Sequence, residues 1–159
     1  MSTTVLVVDD LDTNIKLLEA KLLREYYLVL IASSGQEAID ILENHDVDVI
    51  LLDGMMPGMD GFETCRKIKA NPATTHIPVV MVTALSDIED RVKGLEAGAD
   101  EFLTKPVDDV ALFARVNSLS RTKAVIDALK IRNATNALLG AKTVDLIDNF
   151  DQSKIFVID

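Results

Sequence analysis

Three aspartates, a threonine and a lysine stand at the ends of apolar runs, and these are the residues that could do chemistry together. Asp9 and Asp10 follow Val5-Leu6-Val7-Val8; Asp53 follows Val49-Ile50-Leu51-Leu52; Thr83 follows Val79-Val80-Met81-Val82; Lys105 follows Phe102-Leu103-Thr104. Carboxylates gathered at one place repel, by about 1 kcal/mol per pair at ~4 Å in water and about 4 at an effective dielectric of 20. Either a proton is shared or a hard cation neutralises them. Mg²⁺, or Mn²⁺ in its place, suits Asp9, Asp10 and Asp53 together with a backbone carbonyl from the loop after Asp53, that of Met55. With such a cation Asp53 is a candidate nucleophile for phosphoryl transfer. Lys105 would neutralise charge on the equatorial oxygens, and Thr83 would donate a hydrogen bond to a third oxygen.

The elements that position these residues follow from apolar periodicity. Continuous β-branched and aliphatic runs at 5–8, 28–31, 47–52, 78–82 and 101–103 read as strands covered on both faces. Between them lie helical patterns: Ile15, Leu18 and Leu22 at one spacing, then Ala38, Ile41 and Leu42. Ser34 with Glu37, and Ser86 with Glu89, are capping boxes, and Asp60 caps a helix from Gly61 to about Ala70 that ends at Asn71-Pro72. A last helix from Val107 turns Leu112, Val116 and Leu119 inward and persists towards Ala137. Strands alternating with helices predict βαβ units and a doubly wound parallel sheet, an α/β fold whose chemistry gathers at the carboxyl ends of the strands.

At 159 residues, 48% apolar but 4% aromatic, the chain can bury an aliphatic core. Lys and Arg number 16 against 26 Asp and Glu, a net charge of −10 that disfavours nucleic acid and anionic membrane surfaces. The single cysteine, Cys65, forbids a disulfide framework, and no apolar run is long enough to span a bilayer. A cytoplasmic protein is expected.

In combination, Asp9-Asp10, Asp53 with Met55-Met56-Pro57-Gly58-Met59-Asp60-Gly61, Thr83-Ala84 and Lys105-Pro106 resemble the receiver domain of bacterial response regulators, over Thr4 to about Ser120. The stretches 62–69, 76–80 and 102–115 narrow the resemblance to regulators of the PleD type, in which two receivers precede a diguanylate cyclase domain. The resemblance implies a CheY-like, flavodoxin-like sheet of order 2-1-3-4-5, an arrangement that the general rule for open α/β sheets already covers. It implies that Asp53 accepts a phosphoryl group from a histidine kinase or phosphotransfer protein, with Mg²⁺ held by Asp9, Asp10, Asp53 and the Met55 carbonyl. Thr83 and Phe102 would be the switch residues, Phe102 standing where the family has its rotating aromatic. A phosphorylation-promoted homodimer, with a second receiver and a cyclase domain in cis, would follow. Gly54 departs from the family, which carries a branched apolar residue there, and a loosened loop at Met55 is the expected consequence.

Residues 1–120 are thus expected to form the receiver, 121–152 a helical connector carrying Val125, Ile126 and Leu129, and 153–159 the first strand of a truncated second receiver. The last expectation rests on Ile155-Phe156-Val157-Ile158-Asp159, which repeats Val5-Leu6-Val7-Val8-Asp9. No Gly-Gly-Asp/Glu-Glu-Phe cyclase signature occurs, so these residues are a phosphoacceptor and not the output enzyme. The alternative, a Mg²⁺-dependent phosphohydrolase with Asp53 as nucleophile, needs a second acid two residues on, where Met55 stands. A flavin-binding module would need a phosphate loop after the first strand, where Asp9 and Asp10 would repel the phosphate.

Overall fold

The apolar runs pair as one parallel sheet in a computed structural model that describes residues 2–84 and 88–147, the side chains of 131 and 133–147 excepted. In chain order the elements are β1 (Thr4–Val8), α1 (Asp12–Arg24), β2 (Leu28–Ala32), α2 (Gly35–Asn44), β3 (Val49–Asp53), α3 (Gly61–Ala70), β4 (Val79–Thr83), α4 (Ile88–Glu96), β5 (Glu101–Thr104) and α5 (Asp109–Ile147). The sheet order is β2-β1-β3-β4-β5, all pairs parallel. The chain reverses direction across the sheet between β1 and β3, which opens a crevice at their carboxyl ends.

Alternation along the strands divides the core in two. Leu6, Val8, Ile50, Leu52, Val79 and Met81 face α2 and α3, meeting Ala38, Leu42, Phe62, Cys65 and Ile68. Val5, Val7, Leu51, Val80 and Val82 face the other way, onto Ile15, Leu18 and Leu22 of α1 and Leu112 and Val116 of α5. A side-chain period of two sends neighbours to opposite faces, so continuous apolar strands need helices on both. Each buried Leu, Ile or Val contributes about 1.5–3 kcal/mol, and every residue of β3 is buried, Asp53 included. That strand anchors the carboxylate.

Helix starts follow the capping residues. Ser34 Oγ accepts from the Glu37 nitrogen, and Asp60 Oδ1 accepts from the Glu63 nitrogen. Glu37 reaches back one residue further than a capping box predicts, to the nitrogen and hydroxyl of Ser33. Ser86 lies outside the described residues, so the box expected before α4 does too. Strand ends shift by one or two residues from the apolar runs, because the hydrogen-bond ladder, not hydropathy, ends a strand. Val47 is buried yet precedes β3, whereas Asp53 stays in register opposite Val82.

At the opposite end of the sheet Lys123 of α5 is almost wholly buried and pairs with Asp46 and Asp48, ahead of β3. Asp48 also accepts the Thr4 nitrogen at 2.7 Å. The chain divides after Ala124 into two units. In the second, Val125 and Leu129 are exposed and Ile126 is half-buried. The strand expected at 153–159 lies outside the described residues. Among those described, no helix is long and apolar enough to cross a membrane.

Candidate functional site

Parallel pairing brings the carboxyl ends of β1 and β3 side by side and delivers three carboxylates to one place. Asp9, Asp10 and Asp53 each offer an oxygen within 4.8 Å of the others. Asp9 and Asp53 are buried, 2% and 5% exposed, while Asp10 is half-buried. Two of them are held by local backbone: Leu11 N–H donates to Asp9 Oδ1 at 2.9 Å, and Met55 N–H donates to Asp53 Oδ1 at 3.4 Å. The aspartates themselves initiate the turns that end their strands.

Lys105 enters from the end of β5, its nitrogen donating to Thr83 O at 2.9 Å. Its ammonium lies 3.2 Å from Asp9 Oδ2 and 3.3 Å from Asp53 Oδ1. The electrostatics are asymmetric. Burial, and next the charge of Asp9, push the Asp53 carboxyl above its usual range, against the opposing pull of Lys105 and the Met55 N–H. For Lys105 burial is the largest influence and lowers its pKa, but Asp53 and Asp9 together outweigh it and hold the ammonium charged. One lysine answers two carboxylates, whereas each carboxylate has half a lysine. Negative charge therefore remains in excess, and an oxygen-rich donor set of this kind fits a hard divalent cation.

Thr83 closes β4 in register with Thr104 of β5 and is buried. It borders Gly54: a β-carbon built on Gly54 would lie 3.6 Å from Thr83 Cβ, Met81 Cε and Phe62 Cζ. Those are ordinary contact distances, so the glycine leaves room for a β-carbon among these side chains. Phe102 lies outside the acidic cluster. It stands opposite Met81 and packs its ring on Gly94 of α4, where a β-carbon would collide with the ring edge. The Met55 side chain is exposed. Cys65 is buried and its thiol is pushed up to about 11 by burial, so it supplies no nucleophile.

The sequence marks Gly61 only as a helix start and a motif residue, not as a neighbour of Asp53. Its N–H donates to Gly54 O at 3.1 Å, and its α-carbon presses on the Asp53–Gly54 peptide. A glycine directly after the Asp60 cap, where no turn requires one, is the signal the sequence offers. Beside Lys105, a cleft of about 190 Å³ is lined by Asn14, Leu17, Lys21, Pro106 and Val107 among others.

Residues 5–117 match the family described as response regulator receiver domain. Over 140 residues the chain is 56% identical to the response regulator PleD of Caulobacter vibrioides, covering 88% of this chain and 31% of that protein. A Vibrio cholerae protein named "Probable cyclic di-GMP phosphodiesterase" is 40% identical over 130 residues, covering 82% of this chain and 29% of that one. Among solved structures, the receiver domain of the sensor histidine kinase PA1611 of Pseudomonas aeruginosa, described with a magnesium ion in its active site cleft, is similar at a TM-score of 0.71. It is 28% identical, over 76% of this chain and 98% of that one. The chain thus spans under a third of either full-length relative.

Proposed function

The chain belongs to the response regulator receiver family, and from that premise we propose that Asp53 is its phosphoacceptor, charged by a histidine kinase or phosphotransfer protein. One observation carries the reading: three carboxylates within 4.8 Å of one another, with Lys105 bridging two of them at the carboxyl edge of the sheet. Asp9, Asp10, Asp53 and the Met55 carbonyl would hold Mg²⁺, with Mn²⁺ as a substitute. The cation, when bound, supplies the positive charge that lets an anionic donor approach an anionic acceptor.

The residues divide the work. An Asp53 carboxylate oxygen forms the new P–O bond as the P–N bond of a phosphohistidine breaks, and the imidazole leaves with the electron pair and takes a proton from solvent. Lys105, already held charged between Asp9 and Asp53, turns one hydrogen bond to the incoming phosphoryl oxygens, and the Thr83 hydroxyl donates to another. The cleft beside Lys105, with Leu17 exposed on its rim, gives the donor protein a place to rest. The phosphohydrolase alternative finds no acid at position 55 to protonate a leaving group.

Phosphorylation would draw Thr83, and with it Phe102, inward and alter the face made by α4, β5 and the start of α5. Ile88, Val92, Leu95 and Val110 expose apolar surface there, which supports a second copy of the chain as the partner that binds on phosphorylation. Residues 1–120 would be the receiver, 121–152 the connector and 153–159 the start of a second receiver. Likeness to PleD supports a diguanylate cyclase as the output in the full-length protein; likeness to the Vibrio cholerae protein makes cyclic di-GMP hydrolysis the outcome that would replace it.

The test is the mass of the chain before and after incubation with acetyl phosphate and Mg²⁺, with its size measured in parallel. One phosphoryl group should add, and an Asp53→Asn chain should gain none. Equal uptake by the Asp53→Asn chain removes the proposal.

A further inference from the structure

We infer that Gly61, at the first turn of α3, is a positioning residue for the phosphoacceptor: it seats the Asp53–Gly54 peptide and so aims the Asp53 carboxylate. The inference rests on the reading of Asp53 as phosphoacceptor and adds to it a residue with no polar side chain at all. A β-carbon at 61 would collide with the carbonyl oxygen of Asp53 and stand 2.7 Å from Gly54 Cα and 2.8 Å from the Asp53 carbonyl carbon. All three are backbone atoms. A clashing side chain can rotate away, but a peptide plane can move only by taking its residue with it. The Gly61 N–H bond to Gly54 O pulls the same two segments together from the other side. Contact and hydrogen bond therefore define one distance between α3 and the end of β3.

What that distance sets is the carboxylate. Asp53 is the last residue of β3, so its strand side is fixed by pairing with Val82. Its loop side is fixed by the seat on α3. Tilting the Asp53–Gly54 peptide swings Met55, whose N–H holds Asp53 Oδ1 at 3.4 Å, and shifts the oxygen that Lys105 meets at 3.3 Å. Reacting groups must be held to within a fraction of an ångström for in-line transfer. Gly54 provides the contrast. It lies beside Asp53 in sequence, yet an added β-carbon there would meet only side-chain atoms, at 3.6 Å.

The experiment compares Gly61→Ala with Gly54→Ala in the full 159-residue chain. Phosphoryl uptake is followed by mass with acetyl phosphate as donor at saturating Mg²⁺, and the Met55 amide resonance is recorded without metal. For Gly61→Ala the maximal rate should fall at least tenfold, with the half-saturating donor concentration changed less than twofold. Its metal-free Met55 amide should move upfield as the bond to Asp53 lengthens. For Gly54→Ala the rate should stay within twofold and the Met55 amide should not move. A Gly61→Ala rate within twofold of the parent, or an equal loss in both variants, overturns the inference.

If Gly61→Ala does not fold, Asp60→Ala decides. It loosens the first turn of α3 by removing the cap on Glu63, adding no atom near Asp53. A two- to fivefold slower rate with a shifted Met55 amide supports the seat, and an unchanged rate and amide overturn it. Absence of uptake by the unsubstituted chain sinks the phosphoacceptor reading instead, and the Met55 amide then judges Gly61 alone.

Discussion

Replacing Lys105 by methionine keeps the aliphatic stem and removes the cation that bridges Asp9 and Asp53. The ammonium lies 3.2 and 3.3 Å from the two carboxylates, an attraction of about 5 kcal/mol to each at an effective dielectric of 20. Carboxylate oxygens at the 4.8 Å limit of the cluster repel by about 3.5 kcal/mol on the same footing. The variant does not bear the whole of the lost attraction, because one carboxyl can take up a proton instead. From an ordinary pKa near 4 that costs about 4 kcal/mol at pH 7 and about 1.4 at pH 5. These values are ceilings, since Asp53 already sits above the usual range.

Destabilisation of about 3–4 kcal/mol is therefore expected at pH 7, within the range for breaking a buried ion pair. At pH 5 it should shrink to about 1–1.5 kcal/mol by the same protonation cost. The sign follows from linkage. A carboxyl whose folded pKa lies above its unfolded one binds more protons folded than unfolded, so the variant loses stability as pH rises through that window. Urea unfolding of both chains at pH 5 and pH 7, with chelator and then with saturating Mg²⁺, measures it. A loss that is the same at both pH values, or a loss at pH 7 that Mg²⁺ does not reduce, refutes the charge argument.

Other outcomes follow from the same contacts. In the metal-free parent chain the raised Asp53 pKa makes stability decline as pH climbs above the ordinary carboxylate range, and Asp53→Asn should flatten that decline in urea titrations. Lys123→Met should cost about 1–2 kcal/mol, because Asp46 is 90% exposed and returns to water while Asp48, 28% exposed, keeps only the Thr4 N–H beside it; Lys123→Ala, which also empties the buried stem, should cost about 2–3 more. Chemical denaturation of the two variants separates packing from charge. Gly94→Ala should turn the Phe102 ring outward at a cost of about 1–3 kcal/mol, read by thermal unfolding and by the ring-proton resonances of Phe102.

How much could be read without the fold differs by element. The five strands, the helices from Asp12 to Ala70 and the caps at Ser34 and Asp60 were legible, because apolar period and capping chemistry are local. So was the edge to which Asp9, Asp10, Asp53 and Lys105 come, with Thr83 at the end of the next strand, since strand ends in a parallel α/β sheet lie side by side. Strand limits moved where the ladder overrode hydropathy, as at Val47 and Asp53. Glu37 reached Ser33 because backbone geometry at the helix start, not spacing, chooses its donor.

Gly54 and Gly61 mark the boundary between the two kinds of information. By itself the sequence determined the chemistry on offer: three acids, a hydroxyl and an amine, each at the end of an apolar run, and an odd glycine beside the central acid. Which glycine matters to that acid was decided only by the tertiary structure. Gly54 is a sequence neighbour whose surroundings are movable side chains, whereas Gly61 meets Asp53 only after α3 folds back onto the end of β3, backbone against backbone. Pairing of β4 with β5 likewise brings one lysine to two carboxylates, and burial together with the charge of Asp9 holds the Asp53 carboxyl above its usual range. Distances of that kind belong to no segment of chain; they exist only between segments that packing has brought together.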